Sequence, residues 1–325
     1  MKDLSKDAPN RLAVGEDGHG QRIDNFLHKT LRGVPKSHIY RILRSGEVRL
    51  NARRAKPDTR LATGDILRIP PIRTAARPAH AGVRPASGAT PPILYEDEAM
   101  IVLDKPAGLA VHGGSGIAFG VIERLRQARP GAPFLELVHR LDRDTSGVLL
   151  VAKKRSALTA LHAALREGRV EKRYLVLVRG RWRDAIRNVE LALETRVVGA
   201  GDRRVRVAPG GRAAHTIFRR VRVWPGRAPP LALLEAELKT GRTHQIRVHL
   251  THLGFPLAGD DKYGDFAWNR TLAKEGLKRM FLHAHRLRFA HPLEGREMTF
   301  ESPLPRDLAA FVAQLDARGA ARADA

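Results

Sequence analysis

Residues 71–91 separate two parts of the sequence that differ in size and in pattern. This segment is rich in Ala, Pro and Arg and lacks the apolar periodicity of a helix or a strand, which predicts a flexible linker. A chain of 325 residues has room for one domain of ordinary size and one small domain, each with its own core. We therefore predict a small domain over residues 17–70, a larger domain over residues 92–310, and a helix end with a tail over residues 311–325.

The small domain is predicted to combine two short helices with short strands. Apolar residues recur at helical spacing within residues 23–27 and 39–43, and strand-like runs occupy residues 48–50 and 66–69. The polar positions of this pattern carry seven basic residues, of which six are expected to bind nucleic acid: Lys36, Arg41, Arg44, Arg49, Arg53 and Arg54, with Lys56 beside them. One face of the small domain is therefore expected to bind the phosphate groups of a nucleic acid.

The charge balance of the whole chain also indicates a nucleic-acid partner. The sequence holds 58 Lys and Arg residues against 34 Asp and Glu residues, which gives a formal net charge of +24. A polyanion relieves the self-repulsion of such a chain, and nucleic acid is the commonest partner of that kind. The alternative is an Arg-biased composition that only solvates the surface, and the Ala- and Arg-rich tail fits that alternative.

Several classes of protein are disfavoured by features that the sequence lacks. No run approaches the roughly 20 apolar residues of a membrane-spanning helix, the N-terminus lacks a secretory signal, and there is no cysteine, so we expect a soluble cytoplasmic protein. There is no phosphate-binding P-loop, and the glycine-rich residues 113–116 fail the nucleophile-elbow spacing because Ile117 follows. His244, His249 and His252 lack the spacing of a zinc helix, so no metal is expected.

The larger domain is predicted to mix strands with helices. Strands are predicted at residues 99–103, 147–152, 174–178, 231–238 and 244–250, and helices at residues 118–128, 156–167 and 307–315. Residues 317–325 are expected to be frayed. The fold class that fits this pattern is α+β, with a mixed and largely antiparallel sheet.

A polar turn in the larger domain could present a reactive carboxylate. Asp142 and Asp144 stand in a turn with hydroxyl residues and Gly147, directly before the apolar run at residues 148–152. A carboxylate at the edge of a strand, held by such a turn, is a common way to present a reactive group. The same residues can also build nothing more than a hydrogen-bonded turn, and the pattern alone does not separate the two interpretations.

The small domain resembles the αL RNA-binding module, which also occurs in a protein of the small ribosomal subunit. The resemblance rests on QRID at residues 21–24, SHIYRIL at residues 37–43 and GEVRLN at residues 46–51. It implies that the small domain contributes RNA binding through its basic face.

Four motifs in the larger domain occur in the order and spacing of one enzyme family. They are KPAGLAVH at residues 105–112, HRLDRDTSG at residues 139–147, KRY at residues 172–174 and TGRTHQIRVH at residues 240–249. Together with the αL module, they make the chain resemble the RluA-type pseudouridine synthases, and most of all the members that act on large-subunit (23S) ribosomal RNA. The resemblance implies the pseudouridine synthase fold and the isomerisation of uridine to pseudouridine.

The resemblance also assigns roles to individual residues. It implies that Asp142 is the essential carboxylate, that Arg247 pairs with it, and that Tyr174 is the active-site tyrosine. Asp144 becomes a structural neighbour. The residues expected to bind the substrate are His139, Arg140, Arg242 and His244, with Arg140 filling the gap that the uridine leaves when it flips out of the stack.

In the implied reaction, the bond that joins uracil to C1′ of the ribose changes from N1 to C5 of the uracil ring. This isomerisation needs no redox partner, metal or other cofactor. The carboxylate could attack C1′ of the ribose or assist elimination at C2′ to give a glycal, and the sequence does not choose between these routes. His285 stands where a less polar residue is expected beside the pocket. The expected partner is 23S ribosomal RNA or its precursor, bound by a monomer.

Two rival functions remain open at the level of sequence. A non-catalytic RNA-binding or ribosome-assembly factor would use the αL module and the basic surface alone. A hydrolase with paired carboxylates at Asp142 and Asp144 would release uracil or shorten the RNA, whereas isomerisation preserves the length and mass of the RNA.

Overall fold

The computed structural model describes residues 8–31, 33–72, 89–113, 119–198 and 202–323. Most of the predicted linker and three residues of the glycine-rich segment, 114–116, lie outside these ranges. The chain divides into two compact units, Met1–Ser87 and Gly88–Ala325, which are described separately. Among the described residues, no helix has the length and apolar character that crossing a bilayer requires.

The first unit packs two helices against a small antiparallel sheet. Its elements are β1 (Asn10–Ala13), α1 (Ile23–Thr30), α2 (Lys36–Arg44), β2 (Arg49–Leu50), β3 (Arg53–Arg54) and β4 (Ile66–Ile69), in the sheet order β1-β4-β2-β3. Asn51 and Ala52 join β2 to β3 with φ angles of 48° and 65°, the left-handed pair that a two-residue hairpin turn requires. The Asn51 side chain fixes this turn, because its amide donates to Asp65 and its carbonyl oxygen accepts from the Ile66 N–H.

The second unit contains the remaining twelve strands and five helices of the described residues. Its strands are β5 (Ile93–Glu96), β6 (Met100–Lys105), β7 (Glu136–Leu137), β8 (Ser146–Ala152), β9 (Glu171–Arg179), β10 (Ile186–Glu190), β11 (Leu193–Val198), β12 (Asp202–Val207), β13 (His215–Trp224), β14 (Leu231–Leu238), β15 (Leu282–Ala290) and β16 (Glu297–Glu301). Its helices are α3 (Val121–Ala128), α4 (Arg155–Arg166), α5 (Gln245–His252), α6 (Phe266–Lys274) and α7 (Arg306–Ala323).

Ten of these strands form one sheet with the order β10-β13-β14-β9-β15-β8-β6-β5, to which β7 and β16 add at β8 and β15. Among the described pairs only β8 with β15 is parallel, so the predicted α+β class with a mixed, largely antiparallel sheet is confirmed. All seven residues of β8 are buried, which places this strand inside the sheet with the polar turn at its start. Strands β11 and β12 form a separate hairpin.

Two predictions of local structure are wrong. Residues 244–250 were predicted as a strand because Ile246, Val248 and Leu250 alternate with polar residues, but the segment forms the helix α5. Every residue from Gln245 to Leu250 is buried, so this helix lacks the amphipathic pattern by which a surface helix is recognised. The predicted fraying of residues 317–325 is also wrong for residues 317–323, because α7 continues to Ala323, and six of these seven residues are Ala or Arg, which have high helix propensities. Residues 324 and 325 lie outside the described residues.

Candidate active site

The turn that carries Asp142 is fixed by contacts on both sides. Within the turn, the Thr145 N–H donates to the Asp142 carbonyl at 3.2 Å. Beneath it, the fully buried Lys105 ammonium donates to the Arg143 carbonyl at 3.0 Å and to two further backbone carbonyls. Burial lowers the pKa of Lys105 to about 7, against the smaller opposing effect of nearby acids.

The turn ends where β8 meets β15 at close range. Gly147 has a φ of 112°, and a Cβ atom at this position would lie 2.2 Å from the Ala284 carbonyl oxygen. No L side chain fits such a contact, so this position requires glycine. The glycine therefore lets the sheet bring Asp142 and the start of β15 to the same edge.

The Asp142 carboxylate contacts a buried guanidinium. Arg247, on α5, donates from Nη1 to Asp142 Oδ2 at 3.1 Å. Its Nε and Nη2 atoms both donate to Asp260, each at 2.7 Å, in a bidentate pair. Asp260 is fully buried and also accepts the backbone N–H groups of Lys262 and Tyr263 at 2.9 Å. The two bonds to Asp260 therefore fix the orientation of the Arg247 guanidinium, and its third nitrogen, Nη1, faces Asp142.

The charge states of Arg247 and Asp260 follow from their surroundings. Burial would raise the pKa of Asp260, but the hydrogen bonds and the charge of Arg247, with the two N–H donors, hold it below its ordinary value. Burial would likewise lower the pKa of Arg247, and the two carboxylates outweigh that effect and raise it. Both groups are therefore charged at neutral pH.

Tyr174 lies next to Asp142 on the buried face of β9. Only 7% of this tyrosine is exposed. Burial raises its pKa, and the charge of Asp142 adds to that effect, so the phenol remains neutral. Asp142, Tyr174 and Arg247 line one open cavity of about 480 Å³, a volume within the range of small-molecule sites.

His244 reaches the same carboxylate from the start of α5. Its Nε2 atom lies 3.7 Å from Asp142 Oδ2, and its Nδ1 atom is hydrogen-bonded to the Tyr263 hydroxyl at 2.8 Å. Because the Tyr263 oxygen already accepts the Val205 N–H at 3.0 Å, its own hydrogen is available to Nδ1. Burial lowers the pKa of His244, which favours a neutral imidazole with its hydrogen on Nε2, toward Asp142.

The other predicted substrate-binding residues occupy the wall and rim of the cavity. Arg140 and Arg242 are at the rim, and Arg242 Nε donates to the Ala213 carbonyl at 3.0 Å. The His139 Nε2 atom accepts the Leu150 N–H at 3.1 Å, and burial lowers the pKa of His139 to about 4. His139 is therefore neutral and supports the turn. His285 does not line the cavity, since it pairs with Glu235 at 3.1 Å.

The basic residues predicted to bind RNA are all exposed on the first unit. They are Lys36, Arg41, Arg44, Arg49, Arg53 and Arg54. Three of them also make local contacts, because Arg54 donates to the Ser45 carbonyl at 3.1 Å, Arg49 donates to the Ala52 carbonyl at 3.4 Å, and Arg41 lies 3.3 Å from Glu47. Helix α2, from Lys36 to Arg44, and the β2–β3 hairpin therefore carry the basic surface of the first unit.

Sequence reasoning missed two residues that shape this site. Asp260 and Tyr263 hold Arg247 and His244, yet they lie outside the four motifs that were identified. The acidic pair Asp260 and Asp261 is visible in the sequence, but nothing in that pattern distinguishes a buried partner for arginine from an exposed turn. Only the packing of the following loop against α5 reveals the difference.

Comparisons with known proteins match both parts of the chain to known families. The family model described as RNA pseudouridylate synthase matches residues 99–252, and the S4 domain model matches residues 21–67, where the αL module was predicted. The chain is 51% identical to the Salmonella typhi protein named ribosomal large subunit pseudouridine synthase C, over 91% of this chain and 93% of that protein. The Haemophilus influenzae protein of the same name is 49% identical over 94% of each chain.

Two solved structures share the fold over about two thirds of this chain. Human RNA pseudouridylate synthase domain containing 1 is 26% identical, with a TM-score of 0.55 over 69% of this chain and 89% of that one. Human RNA pseudouridylate synthase domain containing 4 is 25% identical, with a TM-score of 0.54 over 69% of this chain and 92% of that one.

Proposed function

Because the chain belongs to the RNA pseudouridylate synthase family, we propose that it converts uridines of large-subunit ribosomal RNA to pseudouridine with Asp142 as its catalytic carboxylate. As a member of this family it is an isomerase, and the resemblance of its motifs to the pseudouridine synthases is confirmed. One observation carries the choice of Asp142. Its carboxylate stands 3.1 Å from a buried, doubly anchored arginine in a cavity that Tyr174 also lines.

The reaction breaks the bond between C1′ of the ribose and N1 of uracil and forms a bond between C1′ and C5. The proton on C5 leaves, and N1 gains a proton, so the atoms balance without a co-reactant. An ionised Asp142 can start the reaction by attacking C1′ or by removing a proton from C2′. Arg247 is placed to hold the carboxylate in either case, since its remaining nitrogen points at Oδ2.

The neighbouring residues have roles that match their chemistry. The neutral Tyr174 can stack on the uracil ring while C5 loses its proton. The Nε2–H of His244 can donate to Asp142 or to an oxygen of the substrate beside it. Arg140 is exposed at the rim, where a planar cation can replace the flipped uridine in the stack.

The choice of RNA rests on two supports. Relatives about half identical over nearly the full chain are named as acting on the large ribosomal subunit, and the S4 match coincides with the basic surface of the first unit. A cytoplasmic monomer is part of the same proposal.

Treatment of deproteinised RNA from both ribosomal subunits tests this substrate. Pseudouridines mapped after incubation are expected at discrete positions of large-subunit RNA, and not of small-subunit RNA. Intact RNA length and no free uracil are expected, because isomerisation conserves both. Shortened RNA or released uracil would instead support the hydrolase, and unmodified RNA would support the non-catalytic binding factor.

The basic surface of the first unit can be tested through salt dependence. The double variant Lys36→Ala with Arg53→Ala removes two exposed charges without disturbing the contact that Arg54 makes to Ser45. Loss of two phosphate contacts should lower the slope of log affinity against log salt by about 1 to 2, because fewer counterions are released. Filter binding of large-subunit RNA at several salt concentrations measures the slope. An unchanged slope would show that Lys36 and Arg53 do not contact the phosphates of the RNA.

A further inference from the structure

Lys172 is a buried cation that the proposed chemistry does not use. It lies on β9, on the same face as Tyr174 and two residues before it, and it lines the same cavity. Only 9% of the residue is exposed. Burial lowers its pKa, and no neighbouring acid opposes that effect. Among the described residues, no hydrogen bond or ion pair engages its ammonium group.

Other lysines near the cavity are compensated. The Lys105 ammonium donates to three backbone carbonyls, and Lys239 at the cavity rim forms an ion pair with Glu237. The Lys172 ammonium is not one of the buried nitrogen atoms without a partner, so within the described residues it is open to the solvent of the cavity. An anion that enters the cavity from outside the protein can replace this solvent and pair with the lysine, whose stem is largely desolvated.

The rest of the cavity wall supports the same conclusion. Arg140 and Arg166 line the cavity together with Lys172, so this part of the wall is positively charged. Among the cavity-lining residues, Asp142 is the one acid, and its carboxylate is paired with Arg247. His139, the next titratable neighbour, is neutral. The field on this side of the cavity attracts a negatively charged group of the ligand.

We propose that Lys172 binds a phosphate group of the RNA backbone directly beside the flipped uridine. This inference rests on the proposed function, in which C1′ of the ribose lies at Asp142 and the uracil ring lies at Tyr174. Same-face neighbours in a strand are about 7 Å apart, so Lys172 is displaced from the ring along β9 toward the backbone. Entry of the phosphate satisfies the lysine, and the same contact holds the nucleotide in the cavity.

A double-mutant cycle between protein and RNA tests the contact. The probe is the pentanucleotide AAUAA, whose single uridine fixes the register, prepared with ordinary phosphates or with a neutral methylphosphonate on the 5′ or the 3′ side of the uridine. Binding is measured at low salt for the wild type and for Lys172→Met, which keeps the aliphatic stem and removes the charge. Thermal unfolding checks that the variant folds, and it should be at least as stable as the wild type.

One of the two methylphosphonates should weaken binding to the wild type about tenfold, the scale of one charge-assisted hydrogen bond. Lys172→Met should bind the ordinary RNA about tenfold more weakly and lose nothing further with that methylphosphonate. Lys172→Arg should retain the penalty, and so should the control Lys239→Met, whose lysine is already paired with Glu237. The proposal is overturned by equal penalties in the wild type and Lys172→Met, or by no binding of AAUAA.

The outcome is separable from that of the proposed function. The cycle reads binding alone, whereas isomerisation is read on large-subunit RNA. Active enzyme without coupling at either linkage would reject the phosphate contact and leave the isomerase intact. Coupling in a protein that forms no pseudouridine would retain the phosphate site and reject the reaction.

Discussion

Asp142→Asn is expected to reduce pseudouridine formation by at least about a thousandfold, the scale seen when a catalytic nucleophile is removed. Asparagine has the same shape and can still accept the hydrogen bond from Arg247. It cannot act as an anionic nucleophile toward C1′ or as a base at C2′. Single-turnover assays with enzyme in excess over large-subunit RNA measure the loss, and RNA binding should change little.

Asp144→Asn is the matched control for that variant. Asp144 lies two residues away in the same turn, but its carboxylate pairs with Arg143 at the surface. Removing its charge should leave the single-turnover rate within a few-fold of the wild type. Similar losses for the two variants would mean that the turn matters only as structure, and that Asp142 has no special chemical role.

Asp260→Asn is expected to affect both activity and stability. The neutral amide cannot balance the buried Arg247 or accept both of its N–H groups, so the guanidinium should lose its fixed orientation. Misplacement of a positioning group by about 1 Å can cost about a hundredfold in rate, and we expect a fall of that order. Leaving the buried arginine partly uncompensated should also lower the free energy of unfolding by about 3 kcal/mol.

Asp261→Asn provides the comparison, because Asp261 also lies near Arg247, at 3.6 Å, but its side chain is 74% exposed. Solvent screens that contact, so neither the rate nor urea-induced unfolding should change appreciably. Equal behaviour of the two variants would contradict the claim that burial of Asp260 is what orients Arg247.

The sequence predicted the fold where local pattern and tertiary environment agree. Strands with one partly polar face, such as β9, and amphipathic helices, such as α4, carry their periodicity in the sequence and were placed within a few residues. The helix α5 was mistaken for a strand because burial on all sides removes that periodicity. The last turns of α7 depart from the prediction because the high helix propensity of an Ala- and Arg-rich segment outweighs the tendency of a chain end to fray.

The site was predictable to a similar degree. Asp142, Tyr174 and Arg247, identified through the family motifs, line one cavity in the structure. Their supports could not be predicted, because Asp260 and Tyr263 act through contacts that exist only after the loop beyond α5 folds back. The charge of Lys172 was visible in the sequence, but its missing partner is a property of the packed structure.

In the proposed reaction, Asp142 initiates the replacement of the bond between C1′ and N1 by a bond between C1′ and C5. Release of tritium from large-subunit RNA labelled at C5 of uridine tests it most directly, because the proton on C5 must leave during isomerisation. Wild-type protein should release tritium in proportion to the pseudouridine formed, and Asp142→Asn should release none above background. No release by the wild type, or equal release by Asp142→Asn, would contradict the account.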